Sequence, residues 1–313
     1  MPIKRFQSKI AESRMSLPVT IVYAVVVLLA CRIEEKQLWI QFGTIMLCTL
    51  LMVELNNRNA LIRIYSRMVS CSFIVLTTMA NFQFATLQPT MVQCCFAAFY
   101  VLLFHAYQDK QATGWVFYAF ACIGTASTVF VHILFYVPLF WILMIFNIMS
   151  FSPKTFCASL LGLSIPYWFL CAYYLYVGDT TTLVNHWMEL TRFQPLFDYS
   201  MITRQQAITF VFIVLLALTG SIHFLRNSFR DKIRTRLLYE LFMVVDTCSI
   251  VFLQLQPQHY DGLLPVIIIN TAPLIGHYLA LTRTKLTNIS VFAIVIIALA
   301  ITACNLWMPS LTF

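Results

Sequence analysis

Long apolar runs alternate with short polar connections along the whole chain. A helix that crosses a membrane needs about 20 mostly apolar residues, and nine segments fit: 16–33, 38–55, 66–86, 89–107, 155–177, 205–225, 237–256, 262–281 and 287–307. The longest hydrophilic connection, Gly178 to Arg204, is too short for a separate soluble domain. The pattern predicts a single polytopic membrane domain over residues 1–313.

The stretch 114–149 is apolar throughout but too long for one crossing. As a single helix it would exceed ~50 Å at ~1.5 Å per residue, against a hydrocarbon core of ~30 Å. It is either a hairpin that turns near His132 or one crossing followed by an interfacial helix. With the hairpin, 16 of the 20 basic residues fall on one side, leaving Arg32, Lys36, Arg192 and Arg204 on the other. The positive-inside rule favours this arrangement.

The sequence therefore predicts an all-α integral membrane protein, a bundle of about 11 transmembrane helices with a cytoplasmic N-terminus. Composition agrees: 60% of residues are hydrophobic and 10% charged, whereas about a quarter are charged in soluble domains. The net charge of +8 comes from short basic clusters between apolar runs, which indicates topology and not nucleic-acid binding. The apolar run from Leu17 to Cys31 is interpreted as a signal anchor, because no A-x-A site follows it.

One acidic residue stands inside an apolar run, in "LFMVVDTCSIVFLQL". Asp246 is expected near the bilayer midplane, where a carboxylate is costly and is usually functional. The next predicted helix places Asn270 at a similar depth, on the same face as His277, and is interrupted by Pro265 and Pro273. Two interpretations stay open: a midplane binding or protonation site, or a protonated carboxyl that joins helices by a hydrogen bond.

Glu34 and Glu35 directly follow the first predicted helix, in "RIEEKQ". Polytopic glycosyltransferases that use lipid-linked sugars carry an acidic pair in this position, and such a carboxylate can act as a general base. The pair is the candidate catalytic group. The alternative is an ordinary charged turn at the end of a helix.

The outer loop "GDTTTLVNHWMELTRFQPLFDYSMITR" mixes acidic and aromatic residues, including Trp187 and Asp198. Rings stack on sugars and carboxylates accept hydroxyl protons, so the loop is a candidate substrate-binding element. A helix anchored at the membrane interface by its aromatic residues explains the same pattern.

On the cytoplasmic side, Arg63 and Arg67 are four residues apart on a predicted helix, where both could bind one phosphate or lipid headgroup. Topology alone also accounts for them.

No metal and no cofactor is expected. The cysteines lack paired metal spacing. The predicted topology divides the six histidines between the two sides, with His105, His223 and His277 toward the inside and His132, His186 and His259 toward the outside.

The segment "FAAFYVLLFHAYQDKQATGWVFYAFACIGTASTVFVHILFYVPLFWILMIF", Phe96 to Phe146, resembles the central part of a family of uncharacterised polytopic inner-membrane proteins of Bacteroidota. The features that carry the resemblance are a helix ending near Tyr107, a charged turn at Gln108 to Lys110, a helix starting at Gly114, and Tyr136, Pro138 and Trp141. The resemblance implies a bacterial inner-membrane location. The label beta-carotene monooxygenase sometimes given to members conflicts with the divided histidines, since iron ligation by four histidines needs them together.

Three functions are compatible with these observations. The leading hypothesis is binding, with transfer or translocation, of a lipid-linked substrate such as a polyprenyl-phosphate sugar. The second is proton-coupled transport of a small molecule through Asp246, and the third is a non-catalytic scaffold of an envelope complex. Membrane lipids are the expected partners, nucleic acid is not, and whether the protein is an enzyme stays open.

Overall fold

A computed structural model describes residues 6–31, 36–193, 195–282 and 284–307 of the chain. Within these ranges the secondary structure is helical, without strands. The α-helices are α1 (Phe6–Glu12), α2 (Ser16–Ala30), α3 (Lys36–Asn59), α4 (Met68–Met79), α5 (Gln88–Leu103), α6 (Thr113–Val129), α7 (Tyr136–Leu143), α8 (Pro153–Val177), α9 (Thr180–Glu189), α10 (Arg204–Asn227), α11 (Ile233–Leu255), α12 (Tyr260–Leu281) and α13 (Lys285–Trp307).

Eight helical stretches of the described chain are long and apolar enough to cross a membrane. They are Trp39–Asn59, Gln88–Ala106, Val131–Ile148, Pro153–Val177, Arg204–Arg230, Ile233–Leu255, Pro257–Leu281 and Thr287–Trp307. Three shorter apolar helices, α2, α4 and α6, complete the bundle. The prediction of an all-helical polytopic membrane protein is confirmed at this level.

The stretch 114–149 folds as two helical arms. Helix α6 ends at Val129, and Phe130 has extended backbone angles (φ −139°, ψ 97°) that break the helix. The second arm, with α7 at its centre, runs from Val131 to Ile148. The N–H of Gln108, just before the first arm, donates to the carbonyl of Ile148, at the end of the second arm, over 2.8 Å. The first arm therefore begins at the end of the bundle where the second arm finishes. This is the geometry of the predicted hairpin.

Hydrogen bonds between helix ends define two ends of the bundle. At one end, Nη2 of Arg234 donates to Oδ1 of Asn59 over 2.8 Å and to the carbonyl of Phe104 over 3.0 Å. At the other, Nδ2 of Asn305 donates to the carbonyl of Met79 over 2.8 Å. We call the first the basic end, because most described lysines and arginines lie in its connections.

Helix α12 is the central element, packed against α4, α5, α10 and α11. An unbroken run from Gly262 to His277 is buried. The predicted interruption at Pro265 and Pro273 is wrong, because α12 continues through both prolines as one helix. The neighbouring helices hold it in place: for example, the hydroxyl of Tyr239 on α11 donates to the Pro273 carbonyl at 3.4 Å.

Helices α6 and α8 approach most closely at glycines. A Cβ atom on Gly162 would lie 2.2 Å from the carbonyl oxygen of Phe117, and one on Gly124 would lie 2.7 Å from that of Leu163. Both obstructing atoms belong to backbone and have no alternative rotamer. Small residues that let two backbones meet are the usual basis of helix association in membranes.

Candidate functional site

The predicted midplane residue Asp246 is buried on α11, with 2% of its surface exposed. Its carboxyl oxygens accept from the hydroxyl of Thr271 on α12, at 3.1 and 3.4 Å. The expected pairing of Asp246 with α12 is therefore present, but the partner is Thr271 and not the neighbouring Asn270.

Two further hydrogen bonds between helices lie close to this pair. Tyr100 on α5 donates to Oδ1 of Asn270 over 2.7 Å. Tyr136 on α7 donates to Oγ of Ser249 over 2.8 Å, one helical turn beyond Asp246 on α11. We call the six residues of these three hydrogen bonds the polar network: Asp246, Thr271, Tyr100, Asn270, Tyr136 and Ser249. It ties four helices together in the interior of the bundle.

Aromatic rings cover the polar network on its α5 and α7 side. Phe242 meets the Tyr100 ring edge-on with centroids 5.1 Å apart, and Phe96 meets the Tyr136 ring in the same way at 6.1 Å. All six members of the network are buried. Hydrogen bonds that are satisfied by protein and enclosed by rings stabilise the packing of helices. This geometry favours the packing interpretation of Asp246 over an open substrate site.

His277, the third residue predicted on this helix, lies apart from the network, toward the basic end. Its Nε2 is 3.2 Å from Oδ2 of Asp231, in the connection between α10 and α11. The other carboxylate oxygen of Asp231 is 3.7 Å from Nη1 of Arg63, and only 2% of the Asp231 side chain is exposed. The buried Asp231 and His277, together with the partly exposed Arg63, thus join the α3–α4 and α10–α11 connections to α12.

Arg63 and Arg67 do not share a helix, so the expectation that they present a common phosphate grip from one helix face is wrong. Helix α3 ends at Asn59, and Ala60 takes a left-handed conformation (φ 47°). Arg63 turns inward to Asp231, as described above. Arg67 instead donates to Oδ1 of Asn57 over 3.3 Å. Each guanidinium is held by a different neighbour.

In the loop from Gly178 to Arg204, Asp179 and Asp198 accept hydrogen bonds from residues close to them in sequence. Asp179 caps α9, accepting from the N–H of Thr182 at 3.2 Å and from the hydroxyl of Thr181 at 2.7 Å. Those hydroxyl and amide donors lower the pKa of Asp179 below its ordinary value. Donation from Ser200 likewise lowers the pKa of Asp198.

The aromatic residues of this loop lie on the protein surface. Trp187 packs against the ring of Tyr167 on α8 with centroids 4.8 Å apart, and part of its surface stays exposed. Phe193, Phe197 and Tyr199 are exposed. Exposed rings at the end of a bundle are typical of an interfacial anchor. The substrate-binding role of Trp187 and Asp198 stays a prediction.

Glu34 and Glu35, the candidate catalytic pair, lie outside the described residues. Their role stays a prediction.

Two pairs of histidines lie at different ends of the bundle. The rings of His132 and His259 lie 3.8 Å apart at the end opposite the basic end, and those of His223 and His277 lie 5.4 Å apart toward the basic end. Burial lowers the pKa of His186 on α9. Over residues 6–31, 36–193, 195–282 and 284–307, no three His, Cys, Asp or Glu side chains form a group suited to a metal ion.

A half-open apolar groove of about 470 Å³ lies among α1, α2, α4, α10, α12 and α13. Its walls include Val19 and Tyr23 from α2, Phe212 and Leu216 from α10, Ile275 and Leu279 from α12, and Val291, Ile294 and Val295 from α13. The volume is within the range of ligand pockets, about 300 to 1,000 Å³. Of the sequence-predicted site residues that the structure describes, none lines it.

The groove contains one unsatisfied polar group in its wall. The hydroxyl of Ser72, on α4, is buried and has no hydrogen-bond partner within the described protein. Ser72 lies four residues from Met68, where α4 begins at the basic end. A buried hydroxyl without a partner costs free energy, so this position suits a ligand that offers an acceptor about one helical turn into the groove.

Comparison with protein-family models, with curated proteins and with solved structures finds no match to this chain. The resemblance to the inner-membrane family of Bacteroidota stays a prediction. The function must therefore be argued from the site alone.

Sequence reasoning missed the groove and the polar contacts that Asp231, Tyr100 and Thr271 make. Asp231 carried a usable signal, since it is the only acidic residue among five basic ones in "RNSFRDKIRTR" and its charge is most easily explained by an inward ion pair. Tyr100 and Thr271 carried none, because a single hydroxyl in an apolar helix does not reveal which helix it faces. The groove depends on how six helices meet, which no local pattern specifies.

Proposed function

We propose that the protein is a multi-pass protein of a bacterial inner membrane that binds an amphipathic lipid-linked substrate in the groove and transfers or translocates it. The observation that carries the proposal is the groove itself: an apolar surface channel, of ligand size, whose one unsatisfied polar group lies toward the basic end. A polyprenyl-phosphate sugar has the required chemistry, because its hydrocarbon chain fits the apolar walls and its charged headgroup needs polar and basic surroundings.

The proposed topology has eleven crossings and a cytoplasmic N-terminus. Helices α2, α4 and α6 are shorter than the ~30 Å core requires, but each connects the two ends. For α4, Met68 follows the basic segment containing Arg63, and Met79 contacts Asn305 at the opposite end. With these three counted as crossings, the described basic residues concentrate on one side, which the positive-inside rule assigns to the cytoplasm.

In this topology the groove opens sideways toward the lipid. It lies between α2 and α13, and their exposed apolar residues, such as Val22, Val26, Ile289 and Ile296, face outward on either side. Bulk lipid and groove walls are equally apolar, so entry of a chain has little hydrophobic penalty or gain. Selectivity then rests on shape and on the polar end of the ligand.

The test fills the groove. Val295 lines the groove and is 49% exposed. The variant Val295→Trp places an indole ring in the groove. Val251, on α11 and outside the groove, is 47% exposed and supports the matched control Val251→Trp. Both variants place the same ring at a lipid-facing position, so they differ only in whether the groove is filled.

The measurement is mass spectrometry of lipids that co-purify with each protein from mild detergent. We expect a long-chain phosphate-bearing lipid to be enriched over bulk phospholipid in wild type and in Val251→Trp, and to fall at least tenfold in Val295→Trp. Equal enrichment in all three proteins, or only bulk phospholipid in wild type, contradicts the proposal.

A further inference from the structure

A second concavity, which we call the cationic cleft, lies at the basic end between the last turns of α10 and the start of α13. Its volume is about 520 Å³. Its polar lining consists of His223, Arg226, Asn227, Arg230, Tyr278 and Thr287. No acidic side chain is among the lining residues that the structure describes.

The cleft keeps its positive charge because the nearest acidic residue is turned away from it. Asp231 directly follows Arg230, but its carboxylate points into the protein, where His277 and Arg63 hold it. Neither Arg226 nor Arg230 forms an ion pair with any acidic residue in the described chain. Arg230 lies over the exposed ring of Phe229, with 5.1 Å between the guanidinium carbon and the ring centroid.

Two neutral features of the cleft favour an anion. Nδ1 of His223 is buried with no hydrogen-bond partner in the described protein, so this wall offers unused hydrogen-bonding capacity. Thr287 lies in the first turn of α13, where its N–H donates to Oγ1 of Thr284 over 3.2 Å. The N-terminus of a long helix carries a partial positive charge, which favours phosphate.

The cleft and the groove share the same faces of two helices. On α10, Phe212 and Leu216 line the groove, and His223 continues that stripe into the cleft at helical spacing. On α13, Val291 lines the groove, one turn beyond Thr287 in the cleft. A chain lying in the groove would thus end beside the cleft.

We propose that the cationic cleft is a phosphate-binding site, in which Arg226 and Arg230 bind the anion and His223 and Asn227 complete its hydrogen bonds. Guanidinium groups bind phosphate with two parallel hydrogen bonds, which makes two neighbouring arginines without an ion pair in the described chain a strong phosphate site. The phosphate is either free in solution or the headgroup of the lipid whose chain occupies the groove; the second source rests on the proposed function.

The experiment measures binding of two probes to the full chain in phosphatidylcholine nanodiscs. Inorganic phosphate tests the cleft alone, with chloride at equal ionic strength as the reference. Hexadecyl phosphate tests the cleft and the groove together. The variant is Arg226→Gln with Arg230→Gln, and the matched control is Lys154→Gln with Lys232→Gln, which removes two exposed charges from the same end without touching the cleft.

We expect the arginine pair variant to bind both probes about tenfold or more weakly, since loss of one charge-assisted hydrogen bond corresponds to at least that factor. The lysine pair variant should keep wild-type affinity. Binding in wild type of hexadecyl phosphate but not of inorganic phosphate assigns the site to a lipid headgroup, and binding of both assigns it to phosphate in general. Equal losses in the two pair variants, or no loss in either, overturn the proposal.

Val295→Trp separates this inference from the proposed function. If it weakens binding of hexadecyl phosphate and leaves inorganic phosphate unchanged, the groove and the cleft hold one amphipathic ligand. If it changes neither, the groove does not hold the chain, and the phosphate site stands without the proposed function.

Discussion

The hydrogen bond between Thr271 and Asp246 allows a direct test of whether Asp246 serves packing. The perturbation is Thr271→Val, which replaces a hydroxyl by a methyl group of nearly the same size. Thr271 is fully buried on α12, so the change leaves the packing volume intact. It removes the only donor that the described residues offer to the Asp246 carboxyl, at 3.1 and 3.4 Å.

The magnitude follows from the burial of the pair. Leaving a buried acceptor without its donor costs about 1 to 3 kcal/mol in soluble proteins. Between membrane helices, measured hydrogen bonds average about 0.6 kcal/mol and reach about 1.7. Because only 2% of Asp246 is exposed to solvent, we expect a cost close to the overlap of these two ranges, about 1 to 2 kcal/mol.

The assay is reversible unfolding in mixed detergent micelles, carried out as a double-mutant cycle with Asp246→Leu. Thr271→Val should cost about 1 to 2 kcal/mol in wild type and close to nothing in the Asp246→Leu background, because replacing both partners with apolar groups removes the unpaired acceptor. Thr247→Val is the control, since Thr247 is exposed and its hydroxyl bonds only to the Met243 carbonyl of its own helix, at 2.8 Å. An equal cost in both backgrounds, or no cost in either, refutes the packing role and favours Asp246 as a proton carrier.

Two more predictions concern the contact between α6 and α8 and the start of α9. Gly162→Ala should destabilise the bundle by about 1 to 3 kcal/mol, because its Cβ would lie 2.2 Å from the Phe117 carbonyl oxygen. The control Gly43→Ala, which has open space around it, should not destabilise the bundle. Equal unfolding free energies for the two variants would contradict the close contact. Because its pKa is lowered, Asp179 should stabilise the first turn of α9 above its unfolded pKa of about 3.9 and lose that effect as pH falls through the lower folded pKa. Amide hydrogen exchange in α9 from about pH 6 to about pH 2 should show this loss in wild type and not in Asp179→Asn, and pH-independent protection in wild type would exclude it.

The extended helices and the hairpin could be predicted because each depends on local chemistry. A run of about 20 apolar residues must be helical in lipid, where every backbone N–H and carbonyl needs an internal partner. The hairpin within 114–149 followed from length and charge alone. The helix expected at Arg63 failed because the end of α3 is decided by the left-handed Ala60 and by the inward ion pair of Arg63, not by hydropathy.

The site was predicted only in part. Asp246 stood out because a carboxyl in an apolar helix is costly wherever it lies. Its partner could not be identified, because Asn270 and Thr271 are adjacent and a rotation of α12 by one residue, about 100°, decides which one faces α11.

The sequence by itself determined the membrane environment, the helical composition and the concentration of basic residues at one end, since these depend on the solvation of each segment. Only the tertiary structure decided that Asp231 is held inside, so that Arg226 and Arg230 have no acidic partner among the described residues. It also decided that α10 and α13 each line both the apolar groove and the cationic cleft. The physical reason is that lipid is as apolar as a helix surface, so apolar residues do not specify their neighbours in a membrane; close contacts at glycines and a few buried hydrogen bonds do.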